Sequence, residues 1–185
     1  MKKLLLILFV LPLFTLAQQT YVPDHNFEQS LINLGYDSIL DDSVLTANID
    51  TVTSLSIISI GIADLTGIED FISLETLRCY INQLTSLDIS NNINLTYLNC
   101  GYNQLTSLDI SNNTTLTYLN CGDNQLTSLD VSNNPALTTL YCHTNQLTSL
   151  DVSTNTALGE LNCGYNQLTS LNLSNNVALG ELNCH

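Results

Sequence analysis

Residues 95–115 read LTYLNCGYNQLTSLDISNNTT, and residues 116–136 read LTYLNCGDNQLTSLDVSNNPA. Two near-copies laid end to end are a tandem array, and a fixed period of this length signals a stacked architecture. The six cysteines carry the period outward in both directions. Cys79, Cys100, Cys121, Cys142, Cys163 and Cys184 each lie 21 residues after the last. Five complete units span 74–94, 95–115, 116–136, 137–157 and 158–178, and a sixth stops within 179–185. A divergent unit, VTSLSIISIGIADLTGIEDFIS, precedes them at 52–73.

The pattern within a unit says how it folds. Leu at positions 1 and 4, Cys at 6, Asn at 9 and Leu at 11 give L-x-x-L-x-C-x-x-N-x-L. In a short strand alternate side chains face opposite ways, so positions 4 and 6 point inward and 3, 5 and 7 outward. One coil cannot bury its apolar side alone, whereas a stack of coils shares a continuous core. Asn82, Asn103, Asn124, Asn145 and Asn166 sit where the strand must turn. Their side chains can satisfy the backbone groups that the turn leaves unpaired. The pattern resembles the leucine-rich repeat, with Cys in place of the last strand Leu. That resemblance implies a leucine-rich-repeat solenoid, mainly parallel β, with an N-terminal helical cap.

A second pattern is nested in the first. Positions 11, 14, 16 and 19 read L-x-x-L-x-[IVL]-x-x-N, as in Leu105, Leu108, Ile110 and Asn113. The unit is similar to the nested 21-residue bacterial subtype called IRREKO. The segments around Leu87–Ile89, Leu108–Ile110, Leu129–Val131, Leu150–Val152 and Leu171–Leu173 are therefore expected to run extended, as a second parallel sheet or a ladder of isolated bridges. Ser, Thr and Asn fill the rest of each unit, which leaves little room for helix.

The N-terminal segment differs in kind. Lys2 and Lys3, the apolar run Leu4–Leu16 and small Ala17 predict a secretion signal over 1–17. Past Ala17 the chain carries Arg78 against 17 carboxylates, a formal charge of −16. Nothing there neutralises phosphate, which argues against nucleic acid and anionic membrane as partners. Over 18–51, Asp24 precedes Phe27, Leu31, Ile32 and Leu34 at helical spacing, and Gly35 closes the run. One short amphipathic helix is predicted, and with Ile39, Leu40, Val44, Leu45 and Ile49 it should cover the open end of the stack. The stretch YVPDHNFEQSLINLGYDSILDDSVLTANI resembles the leader of exported surface proteins in Gram-negative bacteria with type IX secretion. That resemblance implies a secreted or outer-surface protein. The group also carries a sorting domain after the repeats, and none follows Cys184-His185, so the chain is expected to be a fragment of a longer gene product or the product of a truncated gene. Asp37, Asp41 and Asp42 do not meet the EF-hand spacing and read as a solvated acidic loop.

Several constellations of residues could bear on chemistry. Stacked cysteines have parallel Cα–Cβ bonds about 4.7–4.9 Å apart, the wrong vectors for disulfides, and a linear column cannot converge on zinc. They read as small apolar filler. Asp88, Asp109, Asp130 and Asp151, followed by Asn172, form a second ladder, read as a solvated face or as sharing a weakly held divalent cation. Cys142 and His143 fall on opposite faces of a strand. Glu160 and Glu181 occupy neighbouring rungs on an open surface with nothing to exclude water. No reaction is proposed by these residues, and no cofactor is expected.

The outward strand positions are the better candidate. Tyr97, Asn99, Tyr118, Asn120, Tyr141 and His143 combine stiff amphipathic rings with amide hydrogen bonding, a mix also used by antibody loops. Two readings stay open: a recognition face for a glycan, peptide or protein, or tyrosine ladders that merely stabilise the strands. A structural spacer with no ligand is the alternative function. Six rungs expose a face on the order of 400 Å², about half of what one partner contributes to a standard protein interface.

Overall fold

The computed structural model describes residues 17–185, so the predicted signal segment lies outside them except for Ala17. Seven three-residue strands form one parallel sheet in strict chain order. They are β3 (Ser54–Ser56), β4 (Thr76–Arg78), β5 (Tyr97–Asn99), β6 (Tyr118–Asn120), β7 (Thr139–Tyr141), β8 (Glu160–Asn162) and β9 (Glu181–Asn183). Leu55, Leu77, Leu98, Leu119, Leu140, Leu161 and Leu182 are partners in register. The chain is thus a parallel β-solenoid in which each 21-residue unit adds one coil with little helix.

The core follows from the unit. In the coil 95–115, Leu95, Leu98, Cys100, Leu105, Leu108 and Ile110 are all buried, and their counterparts in the coils on either side stack on them. Burying one such aliphatic side chain is worth about 1.5–3 kcal/mol, so several per coil suffice to hold a thin stack. Cys79, Cys100, Cys121, Cys142 and Cys163 are buried free thiols, but Cys184 is exposed, against the inward column expected for all six. No described coil lies over the last rung, where Leu182 is exposed too.

The second half of each coil departs from expectation. Among the described residues it contains neither a second sheet nor a bridge. Its apolar side chains do turn inward, but neighbouring coils are joined there by side chains. Asn113 Nδ2 donates to Ile89 O at 3.0 Å and Asn92 O at 2.9 Å, and Asn134 repeats the contact on Ile110 and Asn113. The backbone meanwhile closes tight turns within its own coil, with Asn113 N to Ile110 O and Leu116 N to Asn113 O. Backbone groups spent inside a coil are not available to a ladder between coils.

The N-terminal segment is also richer than one helix. Strand β1 (Gln19–Tyr21) pairs antiparallel with β2 (Ser43–Leu45), and between them runs α1 (His25–Asn33). A one-turn helix α2 (Thr46–Ile49) follows. Asp24 caps α1, its Oδ1 accepting from Asn26 N and Phe27 N, while its Oδ2 accepts from Ala63 N and Asp64 N of the divergent coil. Phe27 stacks on Phe71, with ring centroids 6.3 Å apart. Gly67 has φ +102, and a Cβ there would stand 2.7 Å from Tyr21 O, so the segment seats against the coil only with glycine at that place. Val44 and Ile49 are buried, whereas Leu34, Ile39, Leu40 and Leu45 are exposed, contrary to expectation. They fall on the outer side of a segment whose inner contacts are already filled by Val22, Phe27 and Leu31. In the loop that follows α1, Asp41 and Asp42 are exposed, and buried Glu28 holds the chain by accepting from Asp41 N and Ser43 N.

Candidate functional site

Registration of the strands decides what stands side by side on the outer face. Tyr97 and Tyr118 are register partners on β5 and β6. Their rings lie parallel, with centroids 4.2 Å apart and planes within 4°. Tyr141 belongs to the other outward row and meets Tyr118 edge-on at 5.8 Å. At the opposite end of the stack, the Arg78 guanidinium lies 4.6 Å over the Tyr97 ring, the geometry of a cation–π contact. One aromatic array thus runs from β4 to β7.

Two of the phenols, those of Tyr118 and Tyr141, are held in the neutral form. Burial and then the neighbouring Tyr97 hydroxyl push the Tyr118 phenol well above its ordinary value. Tyr141 is pushed up to about 12, first by donating its hydroxyl to Glu160 and then by burial. The rings therefore act as hydrogen-bond donors and apolar plates at any physiological pH.

The amides do two jobs. Asn99 Oδ1 accepts from Gly101 N at 3.2 Å, and Asn120 Oδ1 accepts from Gly122 N at 3.0 Å. Both side chains brace the strand exits as well as facing outward. His143 places Nε2 3.1 Å from Asp123 Oδ2 on the preceding coil. Its ring covers Gly122 so closely that a Cβ there would stand 2.4 Å from His143 Cε1. The six nominated residues form one patch across β5, β6 and β7. Asp123 and Glu160 join the patch through those contacts. The signal for them was present in the period, since a side chain one unit along and offset by one or two positions is a lateral neighbour.

The remaining ladders make their hydrogen bonds within the stack. Asn103 Nδ2 donates to Cys79 O, Cys100 O and Gly101 O, while its Oδ1 accepts from Leu84 N, so one side chain joins adjacent coils. Asn124, Asn145 and Asn166 repeat this scheme in full; Asn82 Nδ2 holds Ile57 O and Cys79 O, and its Oδ1 accepts from Ile60 N and Ile62 N. Asp88, Asp109, Asp130 and Asp151 each accept from the backbone N–H two residues on, and Asn172 does the same. Those bonds and the hydroxyls of the serines that donate them draw the carboxyls below their ordinary value, the Ser132 hydroxyl leading at Asp130 and the backbone N–H at Asp88, Asp109 and Asp151. Burial pushes the thiols of Cys79, Cys100, Cys121, Cys142 and Cys163 up, Cys100 to about 12, which favours the protonated form over the reactive thiolate. Among the described residues no group of three His, Cys, Asp or Glu could hold a metal ion, and no helix is long and apolar enough to cross a membrane.

Comparison with known proteins places this geometry. The family described as Leucine Rich repeats (2 copies) matches residues 114–155. Internalin J of Listeria monocytogenes is 41% identical over 72 residues, which cover 39% of this chain and 8% of that protein. The solved functional domain of InlJ from Listeria monocytogenes, which includes a cysteine ladder, is 35% identical with a TM-score of 0.61. That match covers 91% of this chain and 48% of the other. The internalin InlF from the same species superposes with a TM-score of 0.81 at 23% identity, over 86% of this chain and 48% of that one. The fold is a leucine-rich-repeat solenoid. The chain spans less than half the length of these relatives.

Proposed function

We propose that this chain is a non-catalytic protein-interaction module, exported to or displayed on the outer surface of a bacterium, that binds through the outer face of its parallel sheet. The observation that carries the reading is the continuous array of Tyr97, Tyr118 and Tyr141 with Asn99, Asn120 and His143 beside it. A rigid sheet presents these rings at low entropic cost, and aromatic side chains dominate binding energy where they occur. Similarity to internalins supports an interaction role and an outward location. Resemblance of residues 21–49 to the type IX leader supports a Gram-negative source. The N-terminal segment closes one end of the stack in this reading.

A second reading, a spacer, has its own observation. Thr-Ser-Leu recurs unchanged at 85–87, 106–108, 127–129, 148–150 and 169–171, as a surface that carries no partner would allow. Probing the wild type, Tyr118→Ala and Thr127→Ala on protein and glycan arrays separates the two. Binding that falls at least about tenfold with Tyr118→Ala and survives Thr127→Ala supports the recognition face. Binding unchanged by Tyr118→Ala refutes it.

A further inference from the structure

The recognition face is not uniform along the stack. At β4 and β5 a guanidinium, Arg78, lies on Tyr97, and it is the only basic side chain of residues 18–185 apart from the histidines. At β8 and β9, Glu160 and Glu181 are register partners in the outward row. They line a notch of about 290 Å³ together with Tyr141, Asn162 and Asn183. Tyr141 bridges the two regions, its ring edge against Tyr118 and its hydroxyl donated to Glu160. That bond engages Glu160 Oε1, and none of the described side-chain hydrogen bonds involves Glu181. Two carboxylates one rung apart repel, and a cation between them would remove the repulsion. The aromatic array already shows how it accommodates a cation, because Arg78 occupies its far end in this way.

On the recognition reading above, we infer that the partner is a basic polypeptide segment lying across the rungs, with Arg or Lys side chains on the Tyr118–Tyr141 rings and in the Glu160–Glu181 notch. Charge complementarity commits the face to that chemistry. The chain has a net charge of −14, and the acidic pair stands at the edge of the aromatic plates. An arginine has both halves of the contact: a flat face for the ring and a fork for the carboxylate. From β4 to β9 the sheet spans about 24 Å, five steps of about 4.8 Å, and an extended octapeptide covers about 26 Å.

The test uses the whole chain and a fluorescent octa-arginine peptide, with octa-glutamate and an uncharged Gly-Ser octamer as controls, by anisotropy at 150 mM salt. Glu160→Gln/Glu181→Gln should weaken octa-arginine binding about tenfold or more, since charge-assisted hydrogen bonds are lost. Asp109→Asn/Asp130→Asn removes the same charge from the other half of the coils and keeps the turn acceptors, as Asn172 does naturally. It should change binding less than about twofold. Tyr141→Phe, which keeps the ring, should retain more affinity than Tyr141→Ala. Equal loss from both charge pairs would show bulk attraction only and overturn the inference. No binding of octa-arginine would overturn it as well. If array ligands are still lost with Tyr118→Ala, the recognition face stands and only its proposed partner falls.

Discussion

The two halves of each coil share one spacing of leucines and asparagine, yet they are built differently. In the front half neighbouring coils are joined by a backbone ladder, reinforced by asparagines that each use both ends of the amide. In the back half the joints are side chains, mainly asparagine Nδ2 groups with the Thr115 hydroxyl beside them, and the Oδ1 atoms of Asn92, Asn113, Asn134, Asn155 and Asn176 are buried without a partner. The front turn is also strained. Ser59, Ile81, Tyr102, Asp123, Thr144 and Tyr165 all have positive φ, whereas in the back halves of the described coils Gly67 of the divergent coil alone does. The lesson is a division of labour. A backbone ladder holds register whatever the outward side chains are, so the front can vary from Thr to Tyr to Glu. The back depends on particular side chains and repeats them.

The comparison can be broken at four points. Leu119→Ala, at the centre of the front sheet, should cost about 2–5 kcal/mol by urea denaturation, the range for a buried leucine emptied to a cavity. A loss below 1 kcal/mol would mean that the stack collapses around the gap and that the front is not rigid. Next, Asn124→Ala should cost about 2–4 kcal/mol because it strands Leu105 N and three carbonyls. Asn134→Ala in the back should cost about 1–2 kcal/mol, since it gives up two bonds and an already unpartnered oxygen. Equal losses would erase the distinction between the halves.

Strain offers a gain instead. Ile81 is β-branched and sits at φ 56, so Ile81→Gly should raise stability by about 1 kcal/mol, read as a higher denaturation midpoint. The last and smallest effect is a pH signature that differs by half. Back-half aspartates have depressed pKa values, so their contribution is full above about 3.9 and fades as pH falls below it. Front-half Tyr141 is raised to about 12, so its contribution is full below about 10 and fades as pH climbs from there. Thermal melts across pH should show an acid limb flattened by the four Asp→Asn changes at 88, 109, 130 and 151. Tyr141→Phe should flatten the alkaline limb and leave the acid one alone.

Much of the front was legible. Leu98, Cys100 and Asn103 announce strand, inward column and turn by spacing alone, because a stack of identical coils converts sequence period directly into spatial register. The outward rows could be written down for the same reason. Their pairing could not, since spacing does not say that Tyr141 turns edge-on to Tyr118 or that His143 covers Gly122. The back half misled because its inward leucines look like a strand's, and only the tight turns show where the backbone hydrogen bonds went.

The amino-acid sequence by itself determined the period, the inward rows of leucine and cysteine within the stacked coils, the acidic charge and the residues of the outer face. All of these follow from side-chain chemistry repeated at a constant interval. Tertiary structure alone decided which half carries the sheet, that Asp24 serves both α1 and the first coil, and that a cationic plate at one end faces two carboxylates at the other. Such features depend on where hydrogen bonds are spent and how rings rotate once coils touch, and neither is written in a spacing.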